Sequence, residues 1–271
     1  MTLRSSEVAV GGSHRRALGQ HFLRDPAIAR AIVDLAAPGS RDLVVEIGPG
    51  EGALTTELAR RAGRVIALEV DRELIARLRV REPNVEIVEG DARTWDYGML
   101  SAPDGGRVLV VGNLPYSVGK PILMALVTAR TAITAMTLML QREVAERLAA
   151  PPGSKIYGSL SVLTQLYCDV RLALRVPPGA FRPPPKVDSA VVQLSVLNTP
   201  RVPVGDERWF ATVVRAAFGQ RRKMLANALA SGLGRPIDAV RQAAHDADID
   251  PARRAETLTI ENFAGLAARL S

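Results

Sequence analysis

Leu43-Val44-Val45-Glu46-Ile47-Gly48-Pro49-Gly50-Glu51-Gly52 runs from an apolar stretch into a glycine-rich turn, and helical spacing resumes directly after it. Glycines at alternate positions let the backbone turn tightly from strand to helix and let a ligand lie against bare main chain. A strand, a glycine turn and a helix in that order open an α/β unit.

Outward from this stretch, strand-like runs recur at 43–47, 64–69, 85–88, 108–112, 135–140, 170–176 and 187–196. Helical spacing lies between them at 54–61, 72–80, 120–129 and 142–149. The alternation predicts an α/β, Rossmann-like, doubly wound sheet of seven mostly parallel strands. A loop, with no obvious helix, separates the last two strands, so at least one edge strand is expected to be antiparallel. After Val196 the texture changes. Residues 198–203 carry two prolines and read as a linker, and helical pieces follow at 206–217, 222–231, 236–246 and 259–270. The expected organisation is a disordered leader over 1–13, a sheet domain over 14–197, a linker over 198–203 and a small all-helical domain over 204–271.

Composition narrows the class. Hydrophobic residues at 47% and charged residues at 23% exclude a disordered chain. Lys+Arg 35 against Asp+Glu 28 gives a net charge of +7, which favours a polyanionic partner. Basic residues concentrate at Arg182 and Lys186 and again at Arg221-Arg222-Lys223, a triplet expected to open a helix. One cysteine, Cys168, excludes an internal disulfide, and three scattered histidines lack metal-ligand spacing, so no metal is expected. No apolar run is long enough to span a bilayer, and a cytoplasmic monomer is expected.

The strand ends carry the chemistry. The acid that opens the glycine turn, Glu46, is typical of sites for S-adenosylmethionine, a cation without a pyrophosphate. Gly48 and Gly50 would let it approach, Glu69 at the second strand end could accept both ribose hydroxyls, and Asp91 after the third could accept from an adenine amino group. The fourth strand ends in Asn113-Leu114-Pro115-Tyr116. An exocyclic adenine amine is a poor nucleophile because its lone pair is delocalised into the ring. Acceptors at the Asn113 amide and the Leu114 carbonyl would favour a pyramidal nitrogen, Pro115 would keep them fixed, and Tyr116 would stack on the base. Phe181, held by Pro183-Pro184-Pro185, is expected to form the second face of a base clamp.

These segments, with Leu18-Gly19-Gln20-His21-Phe22-Leu23, Tyr157-Gly158-Ser159-Leu160-Ser161-Val162 and Arg221 to Leu229, resemble the ribosomal RNA adenine dimethyltransferases, in particular their bacterial small-subunit (16S) branch. The resemblance implies methyl transfer from S-adenosylmethionine to two adjacent adenines of 16S rRNA in an immature small subunit. It implies a cofactor shell at His21, Leu23, Gly48, Glu69, Asp91 and Asn113, with Tyr116 and Phe181 around the target base. The family usually carries Asn where this chain has His21, which leaves either a side-chain or a main-chain contact there. Three other readings are a large-subunit (23S) methyltransferase of the macrolide-resistance type, a ribosome-assembly factor with secondary methylation, and a DNA adenine methyltransferase.

Overall fold

The computed structural model describes residues 21–271; the expected leader over 1–13 and the segment Leu18 to Gln20 lie outside the described residues. Strand β1 (Phe22–Leu23) leads to α1 (Pro26–Ala36), β2 (Leu43–Ile47), α2 (Thr55–Ala59), β3 (Arg64–Glu69), α3 (Arg72–Arg81), β4 (Glu86–Glu89) and β5 (Val108–Asn113). Then come α4 (Gly119–Thr128), β6 (Ala135–Gln141), α5 (Arg142–Leu148), α6 (Ser159–Gln165), β7 (Cys168–Val176), β8 (Phe181–Arg182) and β9 (Ser189–Val196). Four helices close the chain: α7 (Glu207–Gly219), α8 (Leu225–Leu233), α9 (Ile237–Asp246) and α10 (Ile260–Arg269).

Seven strands form one sheet in the order β4-β3-β2-β5-β6-β9-β7. All neighbours from β4 to β6 are parallel, and β9 is antiparallel to both β6 and β7. The reversed strand is therefore β9, inside the sheet. The edge strand β7 forms an antiparallel pair because of its partner, and runs in the same sense as β6. Central strand β2 is buried at all five positions, and alternate residues feed opposite faces. Val45 and Ile47 join the apolar cluster under α4, α5 and α6, whereas Val44 joins the one under α1, α2 and α3.

Helix starts follow from local chemistry. Asp25 caps α1 by accepting from Ala27 and Ile28 N–H with Pro26 in the first turn, and Asp71 and Asp206 cap α3 and α7 in the same way. Two helices lie outside the helical segments expected from the sequence. Helix α1 precedes the first sheet strand, and α6 is a seven-residue, serine-rich helix stabilised by Ser161, whose Oγ accepts from the Gly158 N–H. At the amino ends of the strands, Asp42 accepts from the backbone and guanidinium of Arg107, which ties β2 to β5 and holds the Asp42 carboxyl down at about 2.

The helices after Val196 do not enclose a core of their own. Phe210, Leu229 and Phe263 belong to the same apolar cluster as Leu126 and Leu163 of the sheet part, and the ring of Phe218 bridges Tyr157 and Phe263. The segment between β9 and α7 is docked as well: the Arg201 N–H donates to the Leu166 carbonyl, and its guanidinium pairs with Asp169. Arg221, Arg222 and Lys223 do not open a helix. They occupy the exposed turn between α7 and α8, which starts at Leu225, so their charges do not oppose the helix dipole directly.

Candidate active site

A cleft opens at the carboxyl ends of β2, β3, β4 and β5, beside the point where strand order reverses. Its walls are residues 21–23, 46–51, 68–70, 90–93 and 113–116. Of the expected cofactor and base residues, His21, Leu23, Gly48, Gly50, Glu69, Asp91, Asn113, Leu114 and Tyr116 all line it.

The glycine turn is built on Glu69. Buried at the end of β3, this carboxylate accepts from the Gly50 N–H at 3.2 Å, the Val70 N–H at 2.9 Å and the Asp71 N–H at 3.1 Å. Burial raises its pKa, and these three donors oppose the rise. Gly48 and Gly50 have φ of 65° and 56°, and a Cβ on Gly50 would stand 2.9 Å from the Phe22 ring. Glycine is thus needed at position 50 both for its backbone and for the room that Phe22 takes.

Glu46 lies beneath the turn, 1% exposed. Its carboxyl is buried beside the Thr55 hydroxyl, and desolvation, opposed in part by that hydroxyl, pushes it up to about 8. A cleft walled by Glu69 and Asp91, with Glu46 buried and neutral beneath it, suits a ligand rich in N–H and O–H donors. Asp91 is already held: Arg93 donates to both carboxylate oxygens at 2.5 to 3.0 Å and draws its pKa down, so an incoming amine would have to use the remaining lone pairs.

The tetrapeptide at the end of β5 is oriented from two sides. The Asn113 Nδ2 donates to the His21 carbonyl at 2.9 Å. Because a carbonyl only accepts, this bond settles which end of the amide is nitrogen and directs Oδ1 away from His21. The Leu114 N–H donates to the Met139 carbonyl at 3.0 Å, which fixes the turn to β6. The hydroxyls of Tyr116 and Ser189 lie 2.5 Å apart, so β9 anchors the tyrosine ring. His21 is placed by its own ring, whose Nδ1 lies 2.8 Å from the Pro183 carbonyl, so its side chain grips the proline loop while its main chain serves Asn113.

Phe181 departs from the expectation. Its ring is 4% exposed, packed with Leu23, Val176 and Val191, and does not line the cleft. The reason is the two-stranded ribbon β1–β8, in which Leu23 pairs with Phe181 and Phe22 with Arg182. Strand alternation turns Phe181 inward and Arg182 outward. The ring that stands against Tyr116 is His21, with centroids 5.3 Å apart and planes tilted by 40°. On the proline loop Arg182 and Lys186 are exposed, and Asp188, which follows them, is taken up by Arg175 of β7. Ser189 and Thr55 escaped sequence reasoning because their roles depend on partners brought in from other elements, and Pro183, read only as a stiffener of its loop, proves to accept from His21. Phe22 carried a signal, as an aromatic beside His21 in a chain with only 4% aromatic residues.

Among the described residues no cluster of His, Cys, Asp and Glu is placed to hold a metal, and no helix is long and apolar enough to cross a membrane. Cys168 is buried, and burial pushes its thiol up to about 12, which leaves it unreactive.

A family model for ribosomal RNA adenine dimethylase matches residues 11–271. The ribosomal RNA small subunit methyltransferase A of Geobacter sulfurreducens is 46% identical over 260 residues, covering 93% of each chain. That of Moorella thermoacetica is 48% identical over 266 residues, covering 94% of this chain and 92% of its own. Among solved structures, a dimethyladenosine transferase from Plasmodium falciparum superposes with a TM-score of 0.75 at 26% identity, over 91% of this chain and 96% of its own. The 23S rRNA methyltransferase ErmE gives 0.68 at 28% identity, over 92% of this chain and 99% of its own. With the family model spanning nearly the whole chain and relatives this similar along their full length, the protein belongs to the ribosomal RNA adenine dimethylase family.

Proposed function

We propose that the protein transfers methyl groups from S-adenosylmethionine to the exocyclic N6 of two adjacent adenines in 16S rRNA, acting in the cytoplasm as a monomer on an immature small subunit. The observation that carries this reading is the anchored amide of Asn113, whose Nδ2 is bound to the His21 carbonyl beside the glycine turn. S-adenosylmethionine, when bound, supplies a methyl group already activated on a sulfonium. Glu69, Asp91, Gly48 and Gly50, with Leu23 and the main chain of His21, would hold it. Asn113 Oδ1 and the Leu114 carbonyl accept from the target amine and turn its lone pair toward the methyl group. Pro115 keeps both acceptors still, and Tyr116, braced by Ser189, offers its face to the base. No strong base is required, because the methylated ammonium loses its proton readily to water.

The 46–48% identity to small-subunit enzymes, against 28% to the large-subunit enzyme, favours 16S over 23S rRNA. Methylation with labelled cofactor of small subunits from an unmodified strain, followed by mass analysis of the nucleosides, tests the reading. Dimethyladenine at two adjacent positions is the expected product, and transfer to large-subunit RNA alone would overturn it.

We assign RNA contacts to Arg182 and Lys186 on the proline loop, and to Arg221, Arg222 and Lys223 in the helical part over 204–271. Their exposure supports this, although Arg221 stands 3.5 Å from Glu256, which offsets part of its charge. Replacing Arg221, Arg222 and Lys223 by Ala together is expected to flatten the salt dependence of RNA binding, by roughly 2 in the slope of log K against log salt. An unchanged slope would mean that the turn is only solvated.

A further inference from the structure

A second cavity, of about 330 Å³, opens between α4, the loop before α6, and α7. Its rim carries Lys120, Arg147, Arg215 and Arg221, no acid lines it, and its floor includes Tyr157 and Phe218. Arg147 is paired with Glu143 and Arg221 stands 3.5 Å from Glu256, whereas neither Lys120 nor Arg215 has an acidic partner among the described residues. Two unpaired cations over an aromatic and apolar floor match the two halves of a nucleotide, phosphate and base.

The cavity is joined to the catalytic cleft by α4. Val118 and Ile122 line the cleft beside Tyr116, while Lys120 and Met124, on the opposite side of the same helical turns, line the second cavity. A single helix, about 10 Å across, separates the two. An RNA strand that delivers an adenine to Asn113 could therefore reach this second cavity within a few nucleotides.

We propose that this cavity holds an unpaired nucleotide flanking the target adenine, with its phosphate between Lys120 and Arg215 and its base over Phe218. The inference rests on the assignment of RNA as substrate and deepens it by adding a second, non-catalytic nucleotide subsite. It would keep the strand in register while one adenine occupies the catalytic cleft.

The test compares the wild type with Lys120→Ala/Arg215→Ala in the full chain. With unmodified small subunits as substrate, KM for the subunit is expected to rise about tenfold or more while cofactor affinity and kcat at saturation hold. Lys120→Arg/Arg215→Lys, which keeps both charges, is expected to restore KM to near the wild-type value. Binding of a short fluorescent single-stranded oligoribonucleotide, read by anisotropy, is expected to weaken in the alanine variant, with its salt slope reduced by about 1. Equal oligonucleotide affinity and equal slopes in wild type and variant would overturn the subsite, whatever the methylation result. Loss of binding in the variant would support it even if the methylated product differed from dimethyladenine, so failure of the subsite and failure of the 16S assignment are read separately.

Discussion

Replacing Asn113 with Ala is expected to lower kcat for methyl transfer by ~10³-fold or more, while cofactor affinity weakens by less than about tenfold. The asymmetry follows from what the side chain touches. Oδ1 is the acceptor that would meet the amine only as its nitrogen pyramidalises, so its loss raises the barrier more than it weakens ground-state binding. The Nδ2 bond to the His21 carbonyl is also lost, and the chain entering β1 loosens, which accounts for the smaller effect on cofactor. Asn113→Asp separates the two roles. It keeps an acceptor but places a carboxylate against the His21 carbonyl oxygen, so it is expected to be nearly as damaging as Ala. Single-turnover transfer and cofactor titration together check this, and near-normal turnover in either variant would remove Asn113 from the site.

Glu46→Gln is expected to stabilise the protein, and increasingly so as pH rises. In the fold the carboxyl is held at about 8 by desolvation, against an ordinary value of 4.5. The protonated form is therefore the one the fold accommodates. Its stability is fully present below the unfolded value and declines as pH rises from about 4.5 towards 8, as the unfolded chain ionises and the buried group resists. Gln carries no such linkage, so its advantage is expected to grow from under ~1 kcal/mol near pH 5 to ~5 kcal/mol by pH 9. Denaturant titrations at the two pH values check this, and parallel stability profiles for the two proteins would show that Glu46 ionises in the fold without cost.

The strands and most helices were legible because their signals are local. Apolar runs bounded by turn residues marked all seven sheet strands within two residues, and apolar residues at helical spacing marked most of the helices. Helix α6 was not legible because its seven residues include two serines and depend on a cap for their stability. The β1–β8 ribbon was not legible because its pairing joins residues some 160 positions apart, and nothing within either two-residue strand announces the other. That pairing decided the outcome for Phe181, since a proline-stiffened loop can present an aromatic ring outward or inward equally well until its register is set.

The residue types and spacing around the cleft belong to the sequence. Glycines at positions 48 and 50, acids at the ends of successive strands and the Asn113 to Tyr116 turn follow from strand order and from the rule that open α/β sheets bind ligands at their carboxyl ends. Orientation and charge state belong to the tertiary structure alone. Which way the Asn113 amide points depends on the carbonyl of His21, 92 positions away. The raised pKa of Glu46 and the depressed one of Asp91 depend on burial in one case and on Arg93 in the other. The second basic cavity exists only because α7 packs against α4 and the loop before α6, gathering cations that lie nearly a hundred residues apart along the chain. Local chemistry is written in neighbouring residues, whereas the electrostatics of a site are a sum over whatever the fold brings near it.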